Sequence, residues 1–209
     1  MKSSSKTQIP NTRILAFILF ALFIVNLAIA QANPGLAVTV KNGSNLQLDG
    51  TSTLHDFSCK TSSIEGTIMV DPAQFANGIK DAKNLISQAN ITIPVKSIKS
   101  GHDGMDDNMY DALKADKDPT ISYQLTGITG AAPSGSEYQI QTQGLLTVAG
   151  VQKPIEMVIY ASKADNGIKI HGKANVNMTD FGIDPPSFMF GALKAGNKVT
   201  VSFDLLLAK

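Results

Sequence analysis

The sequence of 209 residues contains no tryptophan, one cysteine, three histidines and only 6% aromatic residues. The single cysteine, Cys59, excludes an intramolecular disulfide, and one Cys with three His cannot build a cysteine-rich zinc site. The scarcity of aromatic residues and a net charge of +1 without a basic cluster argue against nucleic-acid binding. A composition of 43% hydrophobic and 17% charged residues excludes a disordered chain, a coiled coil and a multi-pass membrane protein.

The N-terminus has the layout of a secretory signal peptide. Three basic residues precede an apolar run over residues 14–30, which ends in Ala-Ile-Ala. This layout predicts cleavage before Gln31, or before Asn33. An uncleaved anchor is the alternative, because seventeen apolar residues are at the lower limit for a spanning helix. We therefore expect a signal peptide over residues 1–30 and one exported domain over residues 31–209.

The dominant period of the rest of the chain is two, which is typical of antiparallel strands. Asn-Gly at 42–43 and Asp-Asn-Gly at 165–167 predict hairpin turns, and residues 133–136 and 149–150 predict two further reversals. Roughly eight to nine strands with one apolar and one polar face predict an all-β barrel or sandwich.

Several positions on the apolar faces are small, among them Gly66, Gly144, Gly172 and Ala174. They predict room inside a barrel for one small ligand, but Leu, Ile and Met side chains of neighbouring strands could equally fill that space. Cys59 alternates with Phe57 and is therefore predicted to face inward.

Two segments have helical features. Acidic residues at Asp106 and Asp107 begin a stretch with apolar residues at helical spacing, and Pro119 follows it. Residues 72–87 are predicted to contain one or two further helical turns. The domain is thus mainly β-structure with one or two short helices.

The histidines invite catalytic or metal-binding interpretations. His55 and Asp56 follow Ser52, but no G-x-S-x-G motif is present, so a structural histidine is the better interpretation. His102 precedes an acidic group that is better explained as a helix start than as a metal site. We expect neither a metal nor a cofactor.

Residues 185–190, Pro-Pro-Ser-Phe-Met-Phe, form a proline-stiffened apolar loop. Such a loop belongs at a barrel end, either as a plug packed on the core or as a lid over a ligand.

Seven segments in a fixed order carry a family resemblance. They are residues 48–57 (LDGTSTLHDF), 64–66 (IEG), 93–97 (IPVKS), 109–115 (MYDALKA), 119–121 (PTI), 144–154 (GLLTVAGVQKP) and 178–183 (MTDFGI). In this order and spacing the chain resembles the YceI-like family over about residues 46–207.

The resemblance implies an extended antiparallel eight-stranded lipocalin-like barrel that binds a long isoprenoid or acyl chain in its interior. It implies a non-enzymatic carrier or scavenger of an amphiphilic lipid in the bacterial periplasm, with secretion into the medium as the alternative. The membrane would serve only as the source of lipid, and a homodimer is left open. The expected cavity-lining residues are Tyr123, Leu125, Tyr138, Ile140, Leu146, Met157, Ile170 and Phe203. The expected residues at the mouth, near the lipid head group, are His55, Phe181, Phe188 and Phe190.

Two other functions stay open at this stage. One is a structural or interaction module with a filled barrel. The other is an enzyme on the same barrel with His55 or His102 as the acid or base.

Overall fold

The computed structural model describes residues 35–188 and 193–209, which form eleven β-strands, two short α-helices and three 3₁₀ turns. The signal peptide and cleavage sites expected at the N-terminus, and Phe190, lie outside these residues. The strands are β1 (Leu36–Val40), β2 (Asn45–Ser52), β3 (Phe57–Thr61), β4 (Glu65–Val70), β5 (Ile86–Pro94), β6 (Thr120–Ser134), β7 (Glu137–Val148), β8 (Val151–Ala164), β9 (Gly167–Asn177), β10 (Ser187–Phe188) and β11 (Leu193–Ala208). The helices are α1 (Pro72–Asn77) and α2 (Asp103–Ala112), and the 3₁₀ turns are Ala82–Asn84, Val95–Ser97 and Met178–Phe181.

Eight of these strands close into an antiparallel barrel, in the order β1-β4-β5-β6-β7-β8-β9-β11. The ring closes where β1 pairs with the end of β11, with Thr39 opposite Ala208 and Val40 opposite Leu207. Strand β2 pairs with the earlier part of β11, and β3 lies on the outer edge of β2. The expected eight-stranded barrel is confirmed.

The hairpin predicted at residues 42–43 is wrong. Strands β1 and β2 run in the same direction along β11, so the segment between them is a bulge. A two-residue type I′ turn needs positive φ at both positions, whereas here only Gly43 has one, at 93°. The Ser44 hydroxyl accepts a hydrogen bond from the Leu206 amide at 2.9 Å, and the Lys41 amide donates to the Leu206 carbonyl at 2.9 Å. These two bonds keep the bulge attached to β11.

The other three reversals are confirmed as hairpins. They join β6 to β7, β7 to β8 and β8 to β9, with closing pairs Ser134 and Glu137, Val148 and Val151, and Ala164 and Gly167. Ala149 and Gly150 have φ values of 49° and 78°, which are the two positive angles of a type I′ turn.

Both predicted helical segments are present. Helix α1 begins at Pro72, and the Asp71 carboxylate caps it by accepting a hydrogen bond from the Gln74 amide at 2.8 Å. Helix α2 begins at Asp103, three residues before the predicted start. The His102 carbonyl accepts the amides of Met105 and Asp106 there, each at 3.0 Å.

The buried side chains form three clusters around the barrel interior. The largest includes the fully buried Val38, Ile140, Ile168 and Leu207. The second lies between β2, β3 and α2, and the third surrounds Phe181. Members of all three clusters, among them Ile170, Cys59 and Phe181, also line the cavity described next.

Candidate functional site

The barrel encloses a cavity of about 560 Å³ with an almost entirely apolar lining. Its walls come from the inward faces of the barrel strands, from β2 and β3, and from one face of α2. On β11 alone, every second residue from Val199 to Leu207 lines it. Those positions extend over about 26 Å at about 3.3 Å per residue, so the cavity is long and suits a chain-like ligand. Its volume lies within the usual range for small-molecule sites, about 300–1,000 Å³.

The structure brings together six of the eight expected cavity-lining residues. Tyr123, Leu125, Leu146, Met157, Ile170 and Phe203 all line the cavity. Ile140 is fully buried in the largest core cluster, and Tyr138 packs against that cluster, so neither is among the lining residues. The alternation of apolar and polar residues predicted that both side chains point inward. It could not predict which part of the barrel interior is filled by side chains.

Three aromatic rings of the lining lie against glycines of neighbouring strands. A Cβ atom on Gly144 would lie 2.3 Å from the ring of Tyr123, and one on Gly172 would lie 2.8 Å from Phe203. Gly50 faces Phe57 in the same way, at 2.3 Å. The rings therefore occupy the space at the glycines and lie against the wall, which keeps the centre of the barrel open.

One face of α2 lines the cavity with residues that the sequence analysis did not assign to the site. Met105, Met109 and Leu113 follow the i, i+4, i+8 spacing of a single helical face, which was the available signal. Tyr110 points elsewhere, because its hydroxyl bonds to the carbonyls of Lys96 and Ile98 at 3.1 and 2.8 Å.

We call the polar lining residues that solvent reaches the rim. The rim consists of Ser52 at the end of β2, His55 after β2, His102 and Asn108 at α2, and Lys194 on β11. Leu54, which is 67% exposed, adds an apolar side chain at the same place. The rim thus combines an apolar contact with cationic and neutral polar groups.

Of the expected mouth residues, the structure places His55 at the rim. Phe181 also lines the cavity, but it is buried at 4% exposure in the third core cluster. Phe188 is described only as part of the short strand β10, where it pairs with Leu193.

The Ser52–His55 turn does not have the geometry of an activated nucleophile. The Ser52 hydroxyl donates to the His55 carbonyl at 2.7 Å and accepts from the His55 amide at 3.2 Å. The His55 ring contacts the Asp56 carbonyl through Nδ1 at 2.9 Å. Both side chains therefore organise the turn, and the ring is not directed at the serine hydroxyl.

The acidic group at α2 is also structural. Asp106 accepts hydrogen bonds from the amide and hydroxyl of Ser100, both at 2.7 Å, and lies 3.4 Å from the Lys99 ammonium. Burial opposes ionisation, but these hydrogen bonds and the ammonium outweigh it and lower the pKa of Asp106. Across the described residues, no three His, Cys, Asp or Glu side chains are grouped so that they could hold a metal ion.

Two buried groups of the lining are titratable. Burial raises the pKa of the Cys59 thiol to about 11, and the charges of Asp106 and Asp49 add to this effect. Burial also raises the pKa of Tyr123, and the nearby Thr142 hydroxyl offsets only part of this shift. Both groups are therefore neutral at physiological pH.

None of the helices within the described residues is both long enough and apolar enough to cross a membrane.

A family model described as the YceI-like domain matches residues 38–207. Among solved structures, BcnA of Burkholderia cenocepacia is 19% identical with a TM-score of 0.59, over 80% of this chain and 97% of that one. A polyisoprenoid binding domain from Saccharophagus degradans, implicated in plant cell wall breakdown, is 14% identical with a TM-score of 0.61, over 83% and 98% of the two chains. The YCEI protein of Campylobacter jejuni is 18% identical with a TM-score of 0.53, over 72% and 84%. At these identities the structures establish a shared fold, and no curated protein matches the chain.

Proposed function

The chain belongs to the YceI-like family, and from this premise we propose that it is an exported, non-enzymatic carrier or scavenger of a polyisoprenoid or related amphiphilic lipid. The observation that supports this proposal best is the long apolar cavity of about 560 Å³ inside the barrel. A fold neighbour described as a polyisoprenoid binding domain has the same architecture, which agrees with this use of the interior.

Apolar burial alone can hold such a ligand. Each 100 Å² of apolar lipid surface removed from water contributes about 2.5 kcal/mol. Leu125, Leu146, Met157 and Ile170 offer the matching surface along the cavity. The lipid tail needs no catalytic group to bind, and the barrel shields it from water outside the membrane.

The rim is the natural place for a polar head group. The His55 and His102 rings can form hydrogen bonds there, the Lys194 ammonium adds a positive charge, and solvent reaches all three. In this proposal the lipid comes from a membrane, and the protein works in the periplasm or, alternatively, in the medium. Export rests on the basic and apolar layout of residues 1–30.

The other two functions are less well supported. A module with a filled barrel does not agree with an open cavity that residues of the core clusters line. An enzyme based on His55 does not agree with a ring that contacts a backbone carbonyl while Ser52 bonds to the turn.

The first test is to express the full-length precursor in a bacterium and purify the mature protein without detergent. Mass spectrometry of the intact protein and of an organic extract then reports the N-terminus and any bound lipid. We expect a stoichiometric prenyl or acyl compound and a chain that begins near Gln31. A protein that is empty and also refuses added isoprenoid lipids would contradict the proposal.

A matched pair of variants on β7 tests the location of the lipid. Leu146 lines the cavity, whereas the adjacent Leu145 is not among the lining residues and faces the other side of the strand. Leu146→Glu should abolish lipid retention, because it places a carboxylate against the tail, and Leu145→Glu should retain lipid. Ala174→Phe, which fills part of the cavity without adding charge, should also reduce retention. Retention by folded Leu146→Glu and Ala174→Phe proteins would show that the lipid binds elsewhere.

A further inference from the structure

The cavity ends at a layer of fully buried side chains, which we call the floor. The floor consists of Val70 on β4, Ile140 on β7, Ala161 on β8 and Ile168 on β9. On each of these strands the residue two positions away lines the cavity, namely Ile68, Thr142, Ile159 and Ile170. Side chains two positions apart on a strand point to the same face, so each floor residue is the next inward residue after the lining ends. The interior is therefore open on one side of this layer and filled at it.

Part of the rim lies at the other end of the cavity. On β11 the lining begins at Lys194 and Ala195, where Ala195 pairs with Ser52 of β2. It continues to Leu207, which belongs to the same core cluster as the floor. A lipid whose head group lies at Ser52 and Lys194 therefore has its tail directed at the floor.

The distance between the two ends limits the length of the tail. The lining positions of β11 from Val199 to Leu207 extend over about 26 Å along the strand. Barrel strands are tilted by about 35–45°, so this distance corresponds to about 20 Å along the barrel axis. An extended carbon chain advances about 1.25 Å per bond, and an isoprene unit with its four chain bonds covers about 5 Å. About four isoprene units thus fill the apolar length of the cavity.

The volume of the cavity leads to the same size. A close-packed hydrocarbon occupies about 27 Å³ per carbon, so a cavity of about 560 Å³ holds about twenty carbons. Four isoprene units contain twenty carbons. A tail of twice that length would extend beyond the rim, and its outer half would keep its apolar surface in water.

We propose that this site selects lipids with a tail of about twenty carbons, and that Ile140 of the floor sets this limit. Ile140 is the cross-strand partner of Ile159, which lines the cavity. A shorter side chain at Ile140 would therefore extend the cavity beyond its present end. The proposal rests on the proposed lipid-binding function and adds to it the class of tail.

The test measures which prenols the protein takes up from one common donor. The prenols are farnesol, geranylgeraniol, geranylfarnesol and solanesol, which have fifteen, twenty, twenty-five and forty-five carbons. Delipidated mature protein is incubated with phosphatidylcholine vesicles that contain equal amounts of the four, and is then separated and extracted. Mass spectrometry gives the ratios of the bound prenols. Because every variant meets the same vesicles, the partitioning of the prenols into the membrane cancels in the comparison with wild type.

Two variants move the limit in opposite directions. Ile140→Ala removes three carbons from the floor and should raise the bound ratio of geranylfarnesol to geranylgeraniol about tenfold, because about three more tail carbons are buried and the site relaxes in part. Ala89→Leu adds three carbons to the lining opposite Ile68, next to the floor, and should lower the ratio of geranylgeraniol to farnesol about tenfold. Val95→Ala is the control and should change neither ratio, since Val95 is fully buried but is not among the lining residues.

We expect wild type to take up geranylgeraniol and to exclude solanesol. Wild type that binds solanesol as well as geranylgeraniol would overturn the proposal and leave the proposed function intact. Unchanged ratios in the folded variants would also overturn it. Ala89→Leu fills open space, so it decides the test by itself if Ile140→Ala fails to fold. Wild type that takes up no prenol and no other lipid would contradict the proposed function itself.

Discussion

Replacing Gly144 with alanine tests how the cavity is kept open. In the structure, a Cβ atom at this position would lie 2.3, 2.5 and 2.6 Å from Cε2, Cζ and Oη of Tyr123. Ordinary contacts between such atoms are about 3.5–4.0 Å, so the end of the ring must move by at least about 1 Å. The backbone of β7 is fixed by β6 and β8 on both sides, which leaves the cavity as the direction in which the ring can move.

The expected cost follows from this geometry. Overpacking of this kind typically costs about 1–3 kcal/mol, and the open cavity favours the lower half of that range. For a chain of this size, about 1 kcal/mol corresponds to about 2–4 °C in Tm. Because the displaced ring enters the lipid space, Gly144→Ala should also weaken lipid retention, whereas a purely local packing defect would not.

Gly127→Ala is the matched control. Gly127 also lies in a barrel strand with an ordinary φ, but a Cβ atom there would have nothing within 4 Å. Replacing a strand glycine with alanine at an open position should be neutral or stabilising by up to about 1 kcal/mol. Urea denaturation, monitored by far-UV circular dichroism, gives the midpoint of unfolding of both variants. A difference in midpoint at an unchanged slope m reports a difference in stability. Equal midpoints and equal lipid retention for the two variants would refute the explanation that packing of Tyr123 on Gly144 keeps the cavity open.

Three further predictions concern stability and reactivity. Asp106→Asn should cost about 1–3 kcal/mol, because it weakens the hydrogen bonds to Ser100. Since the folded pKa of Asp106 is below the usual 3.8, its contribution is present above that pH and is lost as the pH falls through the lowered value. The difference between wild type and variant in urea unfolding should therefore shrink in acid, and a constant difference down to pH 2 would contradict the assignment. Cys59, with a pKa of about 11, should have a thiolate fraction of about one thousandth at pH 8. Its thiol should therefore resist alkylation until urea unfolds the protein. Rapid labelling of the folded protein would show that the thiol is accessible. Gln74→Leu should lower the free energy of unfolding by about 1–3 kcal/mol. The buried Gln74 side-chain oxygen accepts hydrogen bonds from the backbone amides of Lys80 and Asp81, at 3.1 and 2.9 Å, and leucine cannot replace them. An unchanged urea midpoint would argue against this role.

Local patterns in the sequence predicted much of the fold. The alternation of apolar and polar residues predicted strands with one apolar and one polar face, because successive side chains on a strand point to opposite sides. The turn residues located three hairpins, and the apolar spacing with its acidic start located α2. Tyr123, Leu146 and Phe203, three of the expected lining residues, lie on the cavity wall.

The failures concern contacts between parts distant in the chain. Asn-Gly at 42–43 has the composition of a hairpin turn, but β1 and β2 both pair with β11, so the segment is a bulge. Ile140 is fully buried as expected, yet it belongs to a core cluster that also contains residues of β1, β4 and β11 and is not among the residues that line the cavity. Neither outcome can be deduced from the residues next to it in sequence.

The sequence by itself therefore determined which side of each strand is apolar, because that property depends only on residue type and on the period of the backbone. Only the tertiary structure decided where the apolar interior is filled and where it is open. The register of the β6–β7 hairpin, which shifts at two irregularities between Leu125 and Gly130, places the Tyr123 ring against Gly144. The pairing of β9 with β11 places Phe203 against Gly172, and both contacts keep the rings against the wall. The cavity is thus a consequence of strand register, which depends on irregularities and on pairings between strands that no pattern of residue types records.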